Sequence, residues 1–301
     1  MFKNVMMYRV VSAWEQTLAK LEAALEESRF IECGASQEKS VGWVAPRGED
    51  HGPLVEVVAG QWILKLMVEV KVLPGTVVKR KAEEQLQHIE ATTGRKPGKK
   101  ETREIREDAR LSLLPLAFTK QSTVLVWIDP QAQTLVLDAG SQSRADEVMT
   151  CLIKAIDGLA VQLINTQMSP AAAMSIWLST KEAPQSFSVD RECELKAADE
   201  SKAVVRYTRH ALDTDEVTQH IAAGKVPTRL ALTWNDHVSF VLTEAMQLKK
   251  VAMLDVVFEG VGAAGDGKDD GFDTDVVIAT GELRKLIPDL LEALGGEVIP
   301  G

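Results

Sequence analysis

Eleven lysines and arginines lie between Gly75 and Trp127 against seven acids, while the rest of this 301-residue chain carries 23 basic and 37 acidic residues. A segment opposite in sign to its host must be displayed as a discrete positive feature, because a core would not accept it and a uniform surface would not contain it. Its second half has the sharper pattern. At 3.6 residues per turn, Lys99, Arg103, Arg106 and Arg110 fall within about 60° of one another on a helix, and Ile105, Ala109 and Leu113 form an adjacent apolar stripe. One side can pack while another reaches phosphates.

Two helices are predicted here, roughly 76–91 and 99–114, joined by TTGRKPG, whose Gly and Pro suit a sharp connection. Pro115 should end the second, leaving Leu116, Ala117 and Phe118 just beyond it. Lys79, Arg80, Arg95, Lys96 and Lys100 add to the charge. A run of Lys and Arg interleaved with Glu is ordinarily a solvated helix held by pairs four residues apart. Sidedness shifts that balance: Glu101, Glu104 and Asp108 point away from the stripe and only Glu107 flanks it, so a phosphate track becomes credible. A lone Phe after a helix is ordinarily core. At the end of a basic hairpin, Phe118 also suits a wedge against bases or an anchor in a partner's pocket. Arg206, Arg209 and His210, in VVRYTRHAL, make a smaller positive patch at the end of a strand, with Tyr207 packed beside them.

Taken in order, the chain opens with a strand at 2–10, a helix at 14–27 and a return strand at 30–33. A Gly-Trp turn, a loop at 45–53 and a β-prone stretch at 55–72 follow. Strands at 122–128 and 134–138, a helix at 143–156 and a strand at 159–164 make a second strand-helix-strand unit like the first. The two units are expected to share a sheet, with the basic hairpin inserted between them. Beyond NTQMSP come helices at 171–179 and 213–223, strands at 187–195 and 203–207, and a meander at 229–234, 237–243 and 247–254. A last helix spans 282–294, stopped by Gly295-Gly296. The fold class is α+β, with mixed, mostly antiparallel sheets flanked by helices. The chain divides into a central region (1–74 with 122–168), a basic helical tip (75–121) and a base (169–301).

A net charge of −10 argues against indiscriminate nucleic-acid binding by the whole surface, so any such binding must be local. The three cysteines, Cys33, Cys151 and Cys193, are far apart and odd in number, which suits a reduced cytoplasmic setting with all three buried. No apolar run approaches the length of a membrane span, and MFKNVMMYRV lacks the long apolar core of a signal peptide. GRKPGKK has too few residues between its glycines for a Walker loop and no Ser or Thr after the lysine. In the acidic GDGKDDGFDTD, counting from Asp266, position three is Lys268 and position twelve is Val277, so no bidentate Glu closes a calcium cage. His51, His88, His210, His220 and His237 show no zinc spacing. No nucleophile elbow is present. No metal, cofactor or catalysis is foreshadowed.

Several segments then combine: FKNVMMYRV, VGWVAP, LLPLAF followed by TKQST and VWID, HIAAGKVPTRLALTW, and FDTDVVIATGELRKLIPDLLEALGGE. In that order and spacing the chain resembles the RdgC family of recombination-associated, nucleoid-associated DNA-binding proteins, over essentially its whole length. The resemblance implies horseshoe-shaped subunits pairing into a ring-shaped homodimer with duplex DNA through a positively lined hole, bound with little sequence preference. Single-stranded DNA would be a weaker ligand. It further implies restraint of a RecA-type recombinase by occupying DNA, without turnover. Carried over by position, the family's phenylalanine finger at the ring gate is Phe118, and its basic-polar pair is Arg209 and His210, where this chain has His in place of the familiar Gln. An alternative is direct contact with the recombinase, with the acidic stretch 255–275 mimicking DNA charge.

Overall fold

The computed structural model describes residues 1–12, 16–259 and 268–298, with the backbone alone at 268–270. Twelve strands form one sheet. Its first seven are β1 (Asn4–Val10), β2 (Lys39–Val44), β3 (Val55–Val58), β4 (Gln61–Val72), β5 (Phe118–Asp129), β6 (Thr134–Asp138) and β7 (Val161–Leu163). The rest are β8 (Phe187–Ala197), β9 (Val204–Thr208), β10 (Lys225–Trp234), β11 (Val238–Thr243) and β12 (Leu248–Met253). The path runs β2-β4-β5-β6-β1-β12-β11-β10-β8-β9, with β3 beside β4 and β7 beside β1. Seven α-helices accompany it among the described residues: α1 (Leu18–Glu26), α2 (Gly75–Thr93), α3 (Lys99–Leu113), α4 (Gln142–Ala155), α5 (Pro170–Thr180), α6 (Asp215–Ala222) and α7 (Lys268–Ala293).

The class is α+β as expected, but the expected mixture of strand directions is not found: every pair of named strands is antiparallel. The helical connections explain why. β1 and β2, linked through α1, are not paired, and β6 and β7, linked through α4, both lie against β1. Of the helical connections only α2–α3 joins neighbouring strands, β4 and β5, and as a hairpin of two helices it returns the chain to the end of the sheet it left, so that pair is antiparallel too.

Alternation along the strands sends side chains to two cores. Met6, Tyr8 and Val10 of β1, with Leu64 and Leu66 of β4, pack with Leu21 and Leu25 of α1 and Val148 and Leu152 of α4. Val5 and Met7 face the other way, with Trp127, toward Met174 of α5 and Leu283 and Leu290 of α7. Leu18, grouped by spacing with Leu21 and Leu25, is instead exposed. Residues 14 and 15 of the predicted first helix lie outside the described residues.

Three local expectations are corrected and a fourth is refined. The VGWV stretch is not a turn but part of β2, and residues 30–33 are not a strand. They run beside β2 as a strap: Phe30 N donates to Trp43 O, Trp43 N to Ser28 O, and the Ser40 hydroxyl to Ile31 O. The β-prone stretch 55–72 is a hairpin, turned at Ala59 and Gly60, both with positive φ. The C-terminal helix starts at Lys268 rather than 282 because Val276, Ala279, Leu283, Leu286 and Leu290 keep helical spacing across Gly281, and all are buried. Asp266 of the rejected calcium pattern lies outside the described residues. Of the cysteines only Cys193 is buried, its thiol pushed up to about 12 mainly by burial; Cys33 and Cys151 are half-buried. Among the described residues no helix is long and apolar enough to cross a membrane.

The strap sets the first testable consequence. A Cβ on Gly42 would fall on the backbone of Phe30 and Arg29, which cannot withdraw as a flexible side chain can. Gly42→Ala should therefore cost about 2 kcal/mol by overpacking, read as a lowered urea midpoint; an unchanged midpoint would mean that the strap yields.

Candidate nucleic-acid interface

The basic segment stands at the end of two long strands. β4 and β5 pair continuously from Trp62↔Ile128 to Val72↔Phe118, and the chain between them is the α2–α3 hairpin. Its helices begin and end within two residues of the predicted limits. Gly94 caps α2 in the left-handed conformation at φ 70°, which an L side chain resists. Val78 and Ala82 of α2 bury against Ala109 of α3, with Ile105, Leu113 and Leu73 packed around them, so the apolar stripe does pack. This small cluster is separate from the two sheet cores. Packing on that side fixes which side of α3 faces out.

Lys99, Arg103 and Arg106 lie on the outward side, exposed, and have no ion pair among the described residues; the same holds for Arg80 of α2. Lys120, exposed on β5, is likewise without an ion pair among the described residues, and the remaining cations of the segment are met by carboxylates. Arg95 grips Glu101 through two nitrogens at 2.7 and 2.8 Å, which holds the Glu101 carboxyl below its usual range. Lys79 reaches Glu83 at 3.7 Å, Lys96 reaches Glu90 at 3.7 Å and Lys100 reaches Glu104 at 3.9 Å. Exposed pairs this long are worth roughly 0–1 kcal/mol and exchange readily for a phosphate. Arg110, the fourth member of the stripe, is turned to Glu38 at 2.5 Å, with Glu107 at 3.9 Å. Sequence periodicity could not foresee that partner, which lies 72 residues away.

Phe118 is the first residue of β5 and is 87% exposed, so the core reading of this residue fails. Leu116, at the end of the 3-10 turn Leu114–Leu116 that holds Pro115, is 78% exposed, with Leu111 and Val72 also uncovered. Leu116 carries no signal in sequence that distinguishes it from core.

The second patch is distant in the sheet. Arg206 lies on the terminal strand β9, seven inter-strand steps from β5, about 34 Å along the sheet at about 4.8 Å per step. Its guanidinium meets Glu194 at 2.6 Å; that bond, then one from Thr228, holds the Glu194 carboxyl low. Arg209, at φ 57°, and His210 follow in the loop, both exposed. The His210 Nδ1 lies 2.6 Å from Ala211 O, an atom that can only accept, so Nδ1 carries the proton and Nε2 is the free nitrogen. Tyr207 is buried as expected, its hydroxyl donating to Glu216 at 2.9 Å. Among the described residues no group of three or more His, Cys, Asp or Glu could hold a metal ion.

A family model described as "Putative exonuclease, RdgC" matches residues 1–297. The chain belongs to the RdgC family. Among similar RdgC proteins, that of Dechloromonas aromatica is 43% identical over 301 residues, covering 99% of this chain and 98% of its own. That of Herminiimonas arsenicoxydans is 45% identical over 296 residues and that of Bordetella pertussis 44% over 298, each covering 98% of both chains. All three carry the name "Recombination-associated protein RdgC".

Proposed function

We propose that this RdgC protein binds double-stranded DNA without sequence preference, encircling it as a ring-shaped homodimer of horseshoe-shaped subunits, and so restrains a RecA-type recombinase at the nucleoid. Single-stranded DNA is the weaker ligand. The observation that carries the reading is the outward row of Lys99, Arg103 and Arg106, exposed and without ion pairs among the described residues, on a chain of net charge −10. Cations in that state displace condensed counterions from a duplex and gain affinity without reading bases. The central region, basic tip and base are the working parts, with the patch of Arg206, Arg209 and His210 as a second contact and Phe118 as the gate. Acidic surface elsewhere discourages a second duplex from binding outside the ring.

Reversing Arg103 and Arg106 to Glu tests this. Each lost phosphate contact is worth about fivefold at 0.15 M salt by the counterion relation, so two from each subunit, four per dimer, cost on the order of 10³-fold on every duplex sequence alike. Fluorescence anisotropy on two unrelated duplexes reads it; unchanged affinity would place the row off the DNA.

The description of the matching family favours a second reading, an exonuclease. Incubating the protein and an end-labelled duplex with magnesium or manganese separates the two, since binding alone leaves the label on full-length DNA. Recombinase inhibition that survives loss of DNA binding would instead support direct contact through the acidic stretch 255–275, of which 260–267 lie outside the described residues.

A further inference from the structure

A cavity of about 450 Å³ opens beside the second basic patch, between the C-terminal end of α5, the start of β8 and the loop that follows β9. Trp177, Phe187 and Leu212, all buried, give it an apolar wall. Two carboxylates, Asp190 and Asp213, also line it. One oxygen of Asp190 accepts from the Thr233 hydroxyl at 2.9 Å, leaving the other for a further donor. Two exposed guanidinium groups stand near this cavity without an ion pair among the described residues. Arg191 is in its lining, and Arg209 begins the loop, whose His210 N is bonded to Arg191 O at 3.2 Å.

That arrangement selects its occupant. Lys181 also lines the cavity but is already held by Asp215 at 2.8 Å, so Asp190 and Asp213 disfavour a phosphate or an acidic peptide there, and an aliphatic side chain would leave their oxygens unanswered. A nucleobase satisfies all three features: its face meets the apolar wall, its amino or imino hydrogens meet Asp190 and Asp213, and its flanking phosphates meet the exposed guanidinium groups of Arg191 and Arg209. A paired base cannot enter, because its edge and faces are already engaged in the duplex. We propose that this cavity takes one unpaired nucleotide of bound DNA, which rests on the DNA-binding reading above and adds to it a preference for duplex interrupted by an unpaired base.

The test uses the full chain and two duplexes of equal length, one fully paired and one carrying a single bulged 2-aminopurine. The bulged duplex should bind about tenfold tighter, within the range of one buried base, and the 2-aminopurine emission should change on binding. Ala183 is exposed on the cavity's rim, so Ala183→Trp should close the cavity without disturbing a core. It should abolish the advantage of the bulge and leave affinity for the paired duplex as it was. Equal affinity of the parent for both duplexes, or an advantage that survives Ala183→Trp, overturns the proposal. So does a change in dimer mass on Ala183→Trp, which would make a second copy the occupant. Paired duplex bound without preference for the bulge sinks the cavity assignment alone; failure to bind either duplex sinks the DNA reading with it.

Discussion

Raising salt from 50 to 200 mM should weaken duplex binding roughly 10³ to 10⁵-fold, the loss expected when about 6 to 10 phosphates are contacted. The charge inventory supports a number in that range. In each subunit of the proposed dimer, Lys99, Arg103, Arg106 and Arg80 are exposed and without ion pairs among the described residues, while Lys79, Lys96 and Lys100 hold carboxylates at 3.7–3.9 Å and can exchange them. Arg95 and Arg110 are held more closely, at 2.7 and 2.5 Å, and should contribute less. Anisotropy titrations at four or five salt concentrations give the slope directly. The Arg103→Glu/Arg106→Glu double variant should flatten it by about two contacts per subunit, whereas Arg95→Ala should barely change it. A slope near zero in the parent would mean that DNA is not held through its phosphates. An equal slope in parent and double variant would locate the contacts elsewhere.

How much of this was readable in advance depends on whether a feature is local. The α2–α3 hairpin was, because its apolar stripe, its Gly-Pro connection and Pro115 all act within a few residues. So was the meander, with limits close to those observed, since alternation and turns are local too. The pairing of Arg110 with Glu38 was not, nor was the strap over β2, because both are set by packing between distant segments. Gly42 looked like a turn residue and is a strand residue, glycine because Phe30 crosses it. The cavity beside β9 was invisible for the same reason: Trp177, Arg191 and Leu212 come from three separate elements or loops. Exposure of Leu116 and Phe118 runs against the default for apolar residues, and departures of this kind point to a binding surface.

Phe118→Ala should therefore leave the subunit's own stability nearly unchanged and weaken the dimer about a hundredfold. The first half follows from burial. At 87% exposure the ring contributes almost nothing to either sheet core or to the small cluster between α2 and α3, so its removal opens no cavity. The second half follows from what such a ring does when a partner covers it. A large aromatic anchor at an interface centre carries about 2 kcal/mol or more, and Leu116 beside it in sequence, at 78% exposure, extends the same apolar surface. Sedimentation across a range of protein concentrations gives the dimer constant, and thermal unfolding at a concentration where both proteins are monomeric gives the subunit's stability. In a closed ring the gate also controls escape, so the variant should dissociate faster than the parent from covalently closed circular DNA, with a smaller difference on short linear duplex that can slide out. Equal dimer constants for variant and parent would remove Phe118 from the gate. A large drop in monomer stability would return it to the core.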